Sequence, residues 1–177
     1  MTDEPGDSFW KVFNRFEDEG MADLIDKGDH PERMYERYGK SFEELYLDEY
    51  QHASVTLQRL DSLLAGYLAA PVAGEYAPVA ELLVLTSSTS NATRLSSSEL
   101  GWLSLLCRFN GHPTGYYMTG LIREEGLEKE LIRVFDSPVA FVRLYNDAAR
   151  RRKARGGTEY ILSKELLRHL EDVEKGR

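Results

Sequence analysis

Arg143, Asn146 and Arg150 stand three and four residues apart, and Arg151, Arg152, Lys153 and Arg155 follow directly. On a helix the first three share one face, while Val139, Val142 and Tyr145 can anchor the other. A helix with one buried face and one face of guanidinium and amide groups suits a DNA major groove. Arginine can bind phosphate or read guanine edges, and asparagine can pair with adenine. The spacing therefore predicts that Arg143, Asn146 and Arg150 meet bases and that Arg151, Arg152, Lys153 and Arg155 neutralise phosphates. The same basic run also suits the negative end of a helix dipole with no ligand at all.

Other chemistry-bearing residues are weaker. Glu49 and His52 form a Glu-x-x-His pair, the spacing with which ferritin-like bundles hold a di-iron centre. Such a centre needs a second pair, and Glu165 and His169 are four apart rather than three. His52 is accordingly expected on a helix surface, and no metal site or cofactor is expected. Gly39-Lys40-Ser41 resembles the end of a phosphate-binding loop, but Met34 stands where its first glycine would be. Cys107 sits among Leu105, Leu106 and Phe109, a setting for a small hydrophobe rather than a nucleophile. His112 next to Pro113 reads as a turn residue. Asn91-Ala92-Thr93 is a glycosylation sequon that carries weight only on a secretory route. These readings point away from an enzyme.

The elements that would position the basic face are helical. Phe9, Phe13, Phe16, Met21, Leu24 and Ile25 recur at helical steps up to Gly28. Asp29-His30-Pro31 then begins a short helix carrying Met34, Tyr35 and Tyr38. Ser41 and Glu44 make a capping-box spacing, and Phe42, Tyr46, Tyr50, Leu57, Leu60, Leu64 and Leu68 predict one long helix over 41–70. Its leucine side is either intramolecular core or a dimer seam. An apolar segment at 79–85 follows. Nine of the thirteen residues at 86–98 are Ser or Thr, which marks a linker or the polar face of a continuing helix. Further helices are predicted at 100–109, 116–125 and 127–135. Ser137-Pro138 caps the basic helix, Gly156-Gly157 ends it, and Thr158 to Leu162 alternates like a short strand. Ser163 caps a last helix.

From residue 96 onward this order resembles winged-helix DNA-binding domains. The phrase from Gly157 to Ser163, followed by Glu165, Leu166, Leu167 and Leu170, looks like a wing strand leading into a closing helix. The resemblance implies a recognition helix at about 138–152 and wing contacts at 152–157. The expected fold class is mainly α: an acidic N-terminal helical bundle over 1–88, a Ser/Thr-rich linker over 89–98, and a small winged-helix-like domain over 99–177. The partner implied is duplex DNA, bound to regulate transcription or a related transaction, with a homodimer or a protein partner joined through the N-terminal helices. The alternative is a non-catalytic helical subunit of a nucleoprotein or viral assembly that works through its acidic half.

Composition and charge frame these readings. A chain of 177 residues, 42% hydrophobic and 29% charged, has the make-up of a globular protein. One cysteine excludes an internal disulfide framework and suits a reducing cytoplasm. The first residues lack the basic and apolar regions of a secretory leader, and the longest nearly apolar run is about a dozen residues, short of the roughly 20 that span a bilayer. A soluble cytoplasmic protein is expected, with no membrane partner. The net charge of −8 is uneven. Residues 1–141 carry 12 basic and 24 acidic groups, and 142–177 carry 10 and 6, so only the last fifth is basic.

Overall fold

The computed structural model describes residues 5–28, 30–31, 40–69 and 108–176. Seven α-helices lie in them: α1 (Pro5–Lys27), α2 (Lys40–Gln51), α3 (Ala53–Ala69), α4 (His112–Glu124), α5 (Glu128–Arg133), α6 (Pro138–Ala154) and α7 (Lys164–Lys175), with a 3-10 turn at Arg108–Gly111 before α4. The mainly helical expectation holds. The described residues contain no strand, so the β-wing at 158–162 and the winged-helix domain built around it are not supported. No described helix is long and apolar enough to cross a membrane. The helices expected around 34–38, 79–85 and 100–107, the 89–98 linker and Cys107 fall outside the described residues.

α1 forms because its apolar residues return every three to four positions. Phe9, Phe13 and Phe16 are fully or almost fully buried, and Trp10, Val12, Met21 and Leu24 pack at the edge. Ile25, expected on the same stripe, is exposed. One apolar core joins these phenylalanines to Leu57, Leu60 and Leu64 of α3, Met118 and Ile122 of α4, Phe141, Val142 and Tyr145 of α6, and Leu166 and Leu170 of α7. The leucine side of α3 therefore serves the chain's own core. Burial of that size is the main term holding such a fold, at about 25 cal/mol per Å² of apolar surface.

α1 and α4 approach to backbone contact. Thr119 donates its hydroxyl to the Gly20 carbonyl at 3.1 Å, and neither Gly20 nor Gly115 has room for a Cβ against the other helix. Gly111, at φ +88°, turns the chain into α4 in a conformation that favours glycine. Pro113 then occupies the first turn of α4, so His112, expected in a turn, begins the helix instead.

The expected helix over 41–70 is two helices, parted at His52. The Asp48 carbonyl accepts the His52 backbone N–H at 3.0 Å and also lies 2.7 Å from the ring Nδ1. A side chain that shares an i−4 carbonyl in this way is a recognised cause of a kink. The two serine caps behave as expected: Ser137 Oγ accepts from Ala140 N and Ser163 Oγ from Leu166 N.

The segment 157–163 forms neither helix nor strand. Its backbone groups are satisfied by side chains instead. Tyr160 N donates to Ser54 Oγ, Leu162 N donates to Asn146 Oδ1, and Asn146 Nδ2 donates to the Leu162 carbonyl. Asp61 of α3 accepts from Ser163 N at 2.7 Å, Ser163 Oγ at 2.6 Å and Tyr160 OH at 2.8 Å. Such pairing meets the need of buried backbone groups as well as a ladder would.

Candidate active site

The basic face expected on α6 is not assembled for bases. Asn146 is fully buried and spends its amide on Leu162. Replacing it with alanine would strand a buried N–H and C=O, and Asn146→Ala is expected to lower stability by about 2 kcal/mol, read as a lower midpoint in urea unfolding. Arg143 pairs with Glu171 of α7, and Arg150 pairs with Asp147 at 2.7 Å. Arg152 reaches Glu124, Glu125 at 2.8 Å and Glu159 at 3.9 Å. Arg155 also pairs with Glu125, and Arg151 donates to the Glu125 carbonyl at 3.3 Å. The two guanidiniums, Arg155 first, hold the Glu125 carboxyl below its usual range. Lys153 is exposed. Most of this positive charge is thus answered by carboxylates of the chain itself, which joins α6 to the end of α4.

A second polar cluster ties α1 to α2 and α4. His112 has Glu19 at 3.0 Å from Nε2 and Asp23 at 3.1 Å from Nδ1. Asp23 also takes Lys27 and the Tyr46 hydroxyl, the latter at 3.0 Å. Burial pushes the Asp23 carboxyl up, but His112 and Lys27 outweigh it and hold the group below its usual range. Both ring nitrogens of His112 are engaged, so the cluster reads as a structural tie.

The α2–α3 junction is arranged differently. Residues 48–52 read Asp48-Glu49-Tyr50-Gln51-His52. Tyr46 is buried and Tyr50 packs inward on Tyr116 and Tyr117, with ring centroids 5.5 and 6.1 Å away. That anchoring turns Asp48 and His52 to solvent, at 62% and 61% side-chain exposure, one helical turn apart. Nδ1 of His52 lies against the Asp48 carbonyl, with Asp48 Oδ1 3.3 Å away. An Nδ1–H donated to that carbonyl would leave Nε2 as the basic nitrogen.

Glu49 is only 19% exposed and lies 3.2 Å from Arg108 of the 3-10 turn. Burial pushes its carboxyl above the usual range, Arg108 pulls it back, and Asp48 adds to the rise. A half-buried carboxylate with raised proton affinity, one residue from an exposed carboxylate and one turn from an exposed imidazole, can move protons. The Glu-x-x-His pair was visible in the sequence but was set against a di-iron template; Asp48 and Arg108 were the missed partners.

No curated protein and no solved structure matches the chain. Residues 1–154, which take in α1 through α6, match the model of a family described as "Putative zinc dependent peptidase (DUF5700)". This finding overturns the expectation of a DNA-binding regulator and the reading that the chain is not an enzyme, and it gives the non-catalytic assembly subunit no support. The matched part includes the supposed recognition helix, whose arginines and asparagine are spent on internal contacts. With 154 of its 177 residues matched, the chain belongs to this family.

Proposed function

We propose that the protein hydrolyses peptide bonds at the α2–α3 junction, with Glu49 as the proton carrier. The observation that carries the reading is the family match across 1–154. It is supported locally by the Glu-x-x-His order at Glu49 and His52, the second part of the His-Glu-x-x-His arrangement of metallopeptidases, in which the glutamate is the general base.

Zinc needs about three protein ligands in a catalytic site. Among the described residues no group of three His, Cys, Asp or Glu side chains could hold a metal ion. The two exposed donors, Asp48 and His52, do not fit a zinc centre by themselves. The chemistry open to Glu49 is acid–base. It takes a proton from the attacking water as the oxygen bonds to the carbonyl carbon, and returns it to the amine nitrogen as the C–N bond breaks. A carboxyl whose proton affinity is raised by burial is suited to returning the proton as well as to taking it.

The test is cleavage of an unfolded protein carrying a quenched fluorophore, with zinc withheld and with zinc in excess. Wild type is expected to cleave it. Glu49→Gln is expected to lower kcat/KM about a hundredfold, within the usual worth of a general base, with thermal unfolding unchanged. Absence of wild-type cleavage at every zinc level overturns the reading, and equal rates for the two proteins remove the reaction from α2.

A further inference from the structure

A helix bearing His-Glu-x-x-His presents two imidazoles one turn apart to a single zinc ion. The chain has four histidines, at 30, 52, 112 and 169, and no two of them stand four apart. Resting on the reading of α2 as the reaction helix, we infer that Asp48 occupies the place of the first histidine, so this site holds zinc weakly and in exchange with solvent.

His52 offers one ligand nitrogen: Nδ1 is set against the Asp48 carbonyl at 2.7 Å, which leaves Nε2 to bind an ion. Asp48 is not placed as its partner. Its carboxylate approaches the Nδ1 edge of the ring, 3.3 Å from that nitrogen, rather than sharing an ion with Nε2. Both side chains are well exposed, so water competes for any ion they bind. The Arg108 guanidinium beside Glu49 adds positive charge next to the site, unfavourable to a dication. No described side chain completes a group of three donors. Imidazole also suits zinc better than carboxylate does, which is the softer preference expected of that ion.

The experiment uses the intact chain and zinc chloride alone as the probe. Bound zinc is counted by elemental analysis after dialysis, and affinity is read by competition with a chromogenic chelator. Wild type is expected to lose its zinc on dialysis. Asp48→His is expected to bind at least about tenfold more tightly, the lower end of what a change around a zinc ligand does to affinity. Adding His52→Ala to that variant is expected to abolish the gain.

Two results overturn the inference. One is a wild-type chain that keeps one zinc through dialysis and loses it on His52→Ala. The other is an Asp48→His chain that binds no better than wild type. Either leaves the peptidase reading standing. Failure of wild type to cleave peptide with zinc in excess has the opposite effect, removing the peptidase reading and leaving the zinc result untouched.

Discussion

Gly115→Ala is expected to lose about 4 kcal/mol of stability, an exceptional cost for one methyl group. The Cβ it adds would lie 2.9 Å from the backbone nitrogen of Gly20 and closer still to the carbonyl oxygen of Phe16. Both obstacles belong to the backbone of α1, so no side-chain rotation relieves them. Overpacking usually costs about 1–3 kcal/mol because the neighbours can shift. Here the shift must move α1 off α4, along with the Thr119 to Gly20 hydrogen bond and the Phe13 and Phe16 side chains packed below it. In a protein of this size the thermal midpoint should fall by about 10 °C. Gly120→Ala, one turn further along α4, is the control. Among the described residues its Cβ meets the Tyr50 hydroxyl alone, at 3.8 Å, and removing a mid-helix glycine should gain up to about 1 kcal/mol. Calorimetry on the pair decides the matter: equal midpoints would mean that the helices are not in backbone contact.

That contact shows where sequence reading stops. The phenylalanine period of α1, the serine caps at 137 and 163 and the stop at Gly156 are local, and local chemistry sufficed to place them. A glycine gives no sign of the glycine it will touch on another helix. The alternation from Thr158 to Leu162 is real, but alternation reports an extended chain and not what satisfies its backbone. Asn146, Ser54 and Asp61 do so from two other helices.

The candidate site divides in the same way. Arg143, Asn146 and Arg150 do share a spacing, yet their partners Glu171, Leu162 and Asp147 decide their role, and two of those three lie on distant segments. Glu49 and His52 were legible as a pair. Their meaning depended on which metal-binding pattern they were compared with, and on Arg108, which only folding brings to Glu49.

Glu17→Gln is expected to stabilise the protein at alkaline pH and to leave it unchanged in acid. Glu17 lies on α1 and is 1% exposed, and no side chain answers its carboxyl group. Burial pushes its pKa to about 7; the backbone amides of Ser137 and Asp136 oppose the rise, while Asp18 and Asp136 add to it. None of the groups that shift it is a cation, so ionisation places a charge without a counter-ion in the interior.

The sign of the effect follows from the two states. Below the unfolded pKa both are protonated and Glu17 carries no penalty. Between that value and about 7 the unfolded chain releases a proton that the folded chain keeps, so stability falls as pH rises. Above about 7 the loss is complete, at about 3 kcal/mol. Glutamine keeps the shape and cannot ionise. Urea unfolding at about pH 4 should give equal stabilities for the two proteins, and at about pH 8.5 the variant should be ahead by about 3 kcal/mol. Parallel curves across that range would mean that Glu17 keeps an ordinary pKa, and hence that water reaches it between α1 and the turn before α6.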